Sequence, residues 1–212
     1  MADQLYLSLW FPNFRFDDLP AKLVSVMRQF ALISGDNRVS AASSYPISFN
    51  EAPAYQRLYV NDDRSEETSA SLIENAVAEA TEQLHDDTAY EFEMRWRLWV
   101  PEPSPAGLDT TWRLEPVRVR VVGFGPNFDL GSYEQNGHIR VDFGLDTPWT
   151  FEGTEDEALD EETTRRVQQN VEKLLAFTLS VEKHCAISSR LLWTESGEPL
   201  AEKLIARLQR VN

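Results

Sequence analysis

Polar and apolar residues alternate most strictly in AYEFEMRWRLWV, residues 89–100. Tyr90, Phe92, Met94, Trp96 and Leu98 share one face, and Glu91, Glu93, Arg95 and Arg97 share the other. This period of two predicts a half-buried β-strand. A second such row follows Asn136-Gly137, a dipeptide suited to tight turns. There Ile139, Val141, Phe143 and Leu145 are expected to face inward, and His138, Arg140 and Asp142 outward. The residues of that outward row are roughly 6.5–7 Å apart along the strand, a surface ladder and not a proton-transfer geometry. Alanine at His138 or Asp142 is therefore expected to cost no more than about 1 kcal/mol. Shorter runs predict strands over 4–11, 38–49, 55–60, 112–122 and 186–193, with residues 147–151 prolonging the one that starts at His138. Pro116 marks a change of phase, as at an edge or bulge.

Elsewhere the spacing turns helical. Leu23, Val26, Met27 and Phe30 form a stripe behind Asp17, Asp18 and Pro20, which suit a cap and a first turn. Leu72, Ile73, Ala76, Val77, Ala80 and Leu84 form another across residues 65–87. The acidic run EGTEDEALDEETT leads into a long helix with Val167, Val171, Leu174, Leu175, Thr178 and Val181 as its stripe. A last helix is expected over Pro199–Leu208. Three prolines in PEPSPAGLD, residues 101–109, argue against a helix or a central strand there.

This order predicts an α+β fold in a single domain, 1–212: a largely antiparallel sheet with two long and two shorter helices packed on one face. Leu-Trp closes predicted strands at Trp10, Trp99 and Trp193, separated by 89 and 94 residues. The spacing suggests an internal duplication of ββαβ type, with repeats 4–88 and 90–183 and a terminal strand and helix at 186–212.

Charge adds a function class to set aside. The net charge is −15. From Thr163 onward eight basic side chains meet five acidic ones, or +3, so residues 1–162 carry −18. Such a surface repels a phosphate backbone, which argues against nucleic-acid binding, and it could attract a basic protein partner. The single cysteine, Cys185, cannot form an internal disulfide. The start MADQLYLSLWFPNF lacks the basic and long apolar regions of a signal peptide, and no run reaches the ~18 apolar residues of a membrane span. The expectation is a cytoplasmic protein away from membranes.

Motifs with a mechanism are few. Gly123 and Gly125 open a G-x-G-x-x-G pattern, but Phe128 stands at its third glycine. One cysteine, and no histidine pair at helical spacing, argue against zinc. Cys185 directly follows His184, and chain neighbours point apart, so it reads as a buried cysteine and not as a nucleophile. No cofactor and no metal is expected.

The richest stretch is GFGPNFDLGSYEQNG, residues 123–137, with four of the nine glycines. Its aromatics, Phe124, Phe128 and Tyr133, exceed what a solvated loop needs, and His138 and Trp149 lie near in sequence. These five residues are the candidate binding residues. The favoured reading is a non-catalytic protein that binds another through an aromatic and acidic surface. The alternative is an enzyme or ligand binder with a pocket rimmed by the 123–137 loop. By charge and fold class alone, the layout is loosely similar to small acidic bacterial proteins of the secretion-chaperone or immunity-protein kind.

Overall fold

A computed structural model describes residues 2–59, 69–103, 110–129, 132–150 and 161–196. Seven strands form one sheet, β1 (Gln4–Trp10), β2 (Ala41–Pro46), β3 (Tyr55–Leu58), β4 (Thr88–Pro103), β5 (Thr110–Phe124), β6 (Ile139–Leu145) and β7 (Ser189–Thr194). Their order is β3-β2-β4-β5-β6-β1-β7, and every neighbouring pair is antiparallel. Helices α1 (Leu19–Ser34), α2 (Ser69–Ala80) and α5 (Glu161–His184) alternate with them, joined by the short α3 (Ser132–Asn136) and α4 (Thr147–Thr150). The fold is α+β, as the alternation and the helical stripes predict. The predicted helix at 199–208 and the acidic run 152–160 lie outside the described residues.

The core lies between one face of the sheet and the helices. Leu5, Leu7 and Leu9 of β1, Phe92, Met94, Trp96 and Leu98 of β4, and Ile139, Val141 and Phe143 of β6 meet Leu23, Met27 and Phe30 of α1 and Phe177 of α5. Trp96 sits 5.2 Å from the Phe30 ring, 6.0 Å from Phe143 and 6.2 Å from Phe177. Gly35 ends α1 in the left-handed region at φ 73°, where its N–H reaches Ala31 O at 3.0 Å. In α5 the buried residues are Thr163, Asn170, Leu174, Phe177, Thr178 and Val181, whereas Leu175 is exposed.

Asn170 turns inward because β4 is open there. β2 pairs with β4 only as far as Glu93. Beyond it, Asn170 accepts from Trp99 N–H at 3.0 Å and donates to Trp99 O at 2.8 Å, standing in for a strand. Lys173 Nζ covers Arg97 O at 2.8 Å. Pro101 and Pro103 lie in β4, on the stretch that pairs only with β5, an edge and not a central strand. They share the parity of Trp99, so the N–H each lacks would point to this open side and costs no ladder bond. Pro116, opposite Arg97, likewise faces the free edge of β5, since β6 pairs only with Arg120–Gly123. Residues 104–109 lie outside the described residues.

Two expectations need correction. Thr147–Thr150 does not prolong β6 but turns into α4, with Trp149 and Thr150 N–H both bonded to Asp146 O at 2.9 Å. The duplication is not shown. β4, β5 and β6 are adjacent in the sheet, whereas β1 is separated from β2 and β3 by those three strands, so the halves have no matching arrangement.

Candidate ligand-binding bay

The sheet face turned away from the helices carries the charged rows. Antiparallel register sets them side by side across strands that are far apart in sequence. Tyr6 (β1) lies opposite Asp142 (β6), Asp142 opposite Arg120 (β5), and Arg120 opposite Glu93 (β4). In the next row Ser8 lies opposite Arg140, Arg140 opposite Val122, Val122 opposite Glu91, and Glu91 opposite Ser43 of β2. Between β1 and β6 the register slips, two steps from Gln4 to Tyr6 matching three from Asp142 to Leu145. This is a β-bulge with Gly144 at φ 78°, a conformation that suits glycine. Asp142 Oδ1 accepts the Gly144 N–H at 2.9 Å.

The rows enclose a bay of about 300 Å³ lined by Tyr6, Tyr45, Phe49, Glu91, Arg120, Val122, Arg140 and Asp142. Asp142 is only 3% exposed and ion-paired with Arg120, whose Nη1 also stands 3.6 Å from Glu91 Oε2. Arg120 thus serves two carboxylates. Arg140 forms an ion pair with none among the described residues. Its Nη1 donates to Asn136 Oδ1 at 3.0 Å, its guanidinium lies over the Tyr6 ring at 4.8 Å and the Phe124 ring at 5.3 Å, and its buried Nε has no acceptor.

Burial shifts the titrations accordingly. It pushes the Glu91 carboxyl up, against the opposing pull of Arg120. It also pushes Arg140 down from the ordinary arginine value, against the carboxylates and Tyr6. Arg120 moves up, because Asp142 and Glu91 together outweigh its own desolvation. Desolvation, then the Asp142 charge, raises the Tyr6 phenol.

The mouth of the bay is shaped by two pinned loops. Phe49, 39% exposed, packs edge-on against Tyr45 at 5.4 Å and Phe128 at 5.0 Å. Ile47 takes φ 65°, a strained region for a β-branched residue, and its carbonyl accepts the N–H of Asp129, itself at φ 40°. Gly125 lies so close to Asp86 that a Cβ would fall 2.3 Å from Asp86 O.

The five candidate binding residues are scattered. Phe124 and Phe128 are fully buried in a small cluster with Ala89 and Val122, closing one end of the sheet. Trp149 is fully buried against Phe143 at 5.9 Å in the main core. The side chain of Tyr133, within α3, lies outside the described residues. His138 accepts the Phe11 N–H on Nδ1 at 3.0 Å and stacks on Phe14 at 4.1 Å, apart from the bay, and burial holds its imidazole below its ordinary value. The outward ladder of His138, Arg140 and Asp142 therefore divides: one residue stacks on aromatics, one lines the bay unpaired, and one is buried in an ion pair. Asp142 is not solvated, because Tyr6, Arg120 and the bulge cover it. Cys185 is buried, as expected, with Ser25 Oγ 3.4 Å from its sulfur, and burial raises its thiol.

No known protein family matches the chain. Neither a curated protein nor a solved structure is similar to it at a significant level. Among the described residues, no helix is long and apolar enough to cross a membrane, and no group of acidic, histidine and cysteine side chains is placed to hold a metal ion.

The bay residues were within reach of the sequence as types but not as a site. Their one signal is aromatic interleaving: Tyr6 stands beside Gln4 and Ser8 in the outward row of β1, and Tyr45 beside Ser43 in that of β2. Which strand stands beside which is absent from any local pattern.

Proposed function

We propose that this protein binds a small anionic molecule in the bay on the open face of its sheet, as a cytoplasmic binding protein. The observation that carries the reading is Arg140. It is a partly buried guanidinium with an unused donor in a concave site, while the nearest carboxylates are committed to Arg120. Burying a charge without a partner is costly, and a bound anion would remove that cost. The bay brings charged groups together beside Tyr45, Phe49 and Val122, and 300 Å³ falls at the small end of the range for ligand pockets. Capture of a protein through the loop aromatics has less support, since Phe124, Phe128 and Trp149 expose no surface.

Thermal unfolding with and without small acids and small amines tests the reading. A ligand that binds only the folded chain raises the melting temperature, by an amount that grows with the logarithm of its concentration over Kd. Acids should do so in the wild type and much less in Arg140→Lys. Stabilisation by amines alone would overturn it.

A further inference from the structure

We infer that the occupant of the bay is a monocarboxylate with a flat apolar body, its carboxylate on the free side of the Arg140 guanidinium and its body against Tyr45, Phe49 and Val122; this rests on the anion-binding reading above. Three features of the bay narrow the class. The first is the geometry of the donor. Asn136 takes Nη1, the rings of Tyr6 and Phe124 lie against the guanidinium and Nε is buried, which leaves Nη2 as the donor with no partner among the described residues. Such a charged N–H donor matches an anionic oxygen, as of a carboxylate or a phosphate.

Charge then separates these two. Arg120 and Arg140 together balance Asp142 and Glu91, so the bay is neutral before a ligand enters and a monoanion adds a single charge. A second negative charge on the ligand would meet Glu91 and Asp142, which line the same bay. A dicarboxylate or a dianionic phosphate is disfavoured, and a monoanion fits.

The apolar wall gives the remainder of the molecule. Phe49 stands edge-on to Tyr45, Phe124 and Phe128, with interplanar angles of 64°, 81° and 71°, so three rings fix its position before any ligand arrives. A pre-set wall spares the ligand the cost of ordering it. A volume of about 300 Å³ corresponds to roughly ten water-sized volumes, enough for a carboxylate on a single six-membered ring.

Isothermal titration of the full chain with phenylacetate, acetate, succinate and inorganic phosphate tests this. Phenylacetate should bind the wild type more tightly than the other three. Arg140→Lys, checked for folding by circular dichroism, should weaken it about tenfold or more, the loss of a charge-assisted hydrogen bond. Phe49→Ala should weaken phenylacetate but leave acetate unchanged. Tighter binding of phosphate or succinate would overturn the monocarboxylate class and leave anion binding standing. Phenylacetate binding unaltered by both substitutions would overturn its placement in the bay. If none of the four anions binds the wild type, both readings fail, a result that needs no variant to fold.

Discussion

Arg140 and Asp142 stand two residues apart on β6 and point to the same side, yet their surroundings differ sharply. Asp142 is covered, paired with Arg120, and bonded to the Gly144 N–H inside the bulge. Asp142→Ala removes both partnerships and leaves the Gly144 N–H without its acceptor. Because Arg120 is partly open to solvent, its loss of a partner is softened by water. The expected cost is about 2 kcal/mol, read from urea denaturation, twice what a solvated strand position would show. A cost within about 0.5 kcal/mol would mean that the pair is worth no more than a surface one. Ile47 is the other residue whose behaviour is set by its neighbours. Its left-handed backbone is held at both ends, by its own N–H on Asp87 O at 2.7 Å and by the Asp129 N–H on its carbonyl at 2.8 Å.

At the scale of elements, the long β4–β5 hairpin outruns the strands beside it, and each free edge has its own solution. Prolines occupy positions where no ladder bond is available. On β4, α5 closes the edge with side chains. Asn170 is fully buried and makes three bonds, two with Trp99 and one donated to Pro148 O at 2.8 Å. Asn170→Leu keeps the number and branching of the side-chain heavy atoms and leaves three backbone groups unsatisfied, at an expected cost of about 3 kcal/mol. Hydrogen exchange at the Trp99 amide should accelerate in the same variant. Unchanged protection there would show that the helix merely lies beside the strand. Much of this was legible in the sequence: β4 was visible from its alternation, and α1 from its stripe and Pro20. The role of Asn170 was not, because a polar residue in a helix stripe has meaning only once the strand it serves is in place.

Over the whole molecule the net charge of −15 makes the protein self-repelling, so mild acidification favours the compact state in general. Glu91 adds a local contribution of the same sign. Its carboxyl is raised above the ordinary value of 4.5 chiefly by burial. The folded state therefore holds that proton more tightly than the unfolded chain. The resulting stability is fully present below pH 4.5 and is lost as pH rises through the folded value. Glu91→Gln should be more stable than wild type at pH 7, and the advantage should vanish towards pH 4. Denaturation midpoints across that range decide it. A difference independent of pH would show that the carboxyl titrates as it does in water. In the bay the same protonation removes one negative charge, so anion affinity should rise on acidification in the wild type and less in the variant.

The sequence by itself determined the long helices and most strands, though not α3 or α4, together with the α+β class and the apolar faces of β4 and β6 as far as Phe143, because periodicity and turn chemistry are local and act before any strand finds its neighbour. It also determined that Trp96 and Leu98 belong to a core and that Arg140 and Asp142 point away from it. Only the tertiary structure decided what that second face is. Strand order brings residues 6, 45, 91, 120, 140 and 142 into one bay. The ledger of charges there depends on register: Arg120 falls opposite Asp142 and near Glu91, while Arg140 falls opposite Val122 and Ser8. The pairing that leaves one arginine without a carboxylate is a property of neighbours in space. Long-range hydrogen bonding between strands sets it, and no periodicity along the chain encodes it.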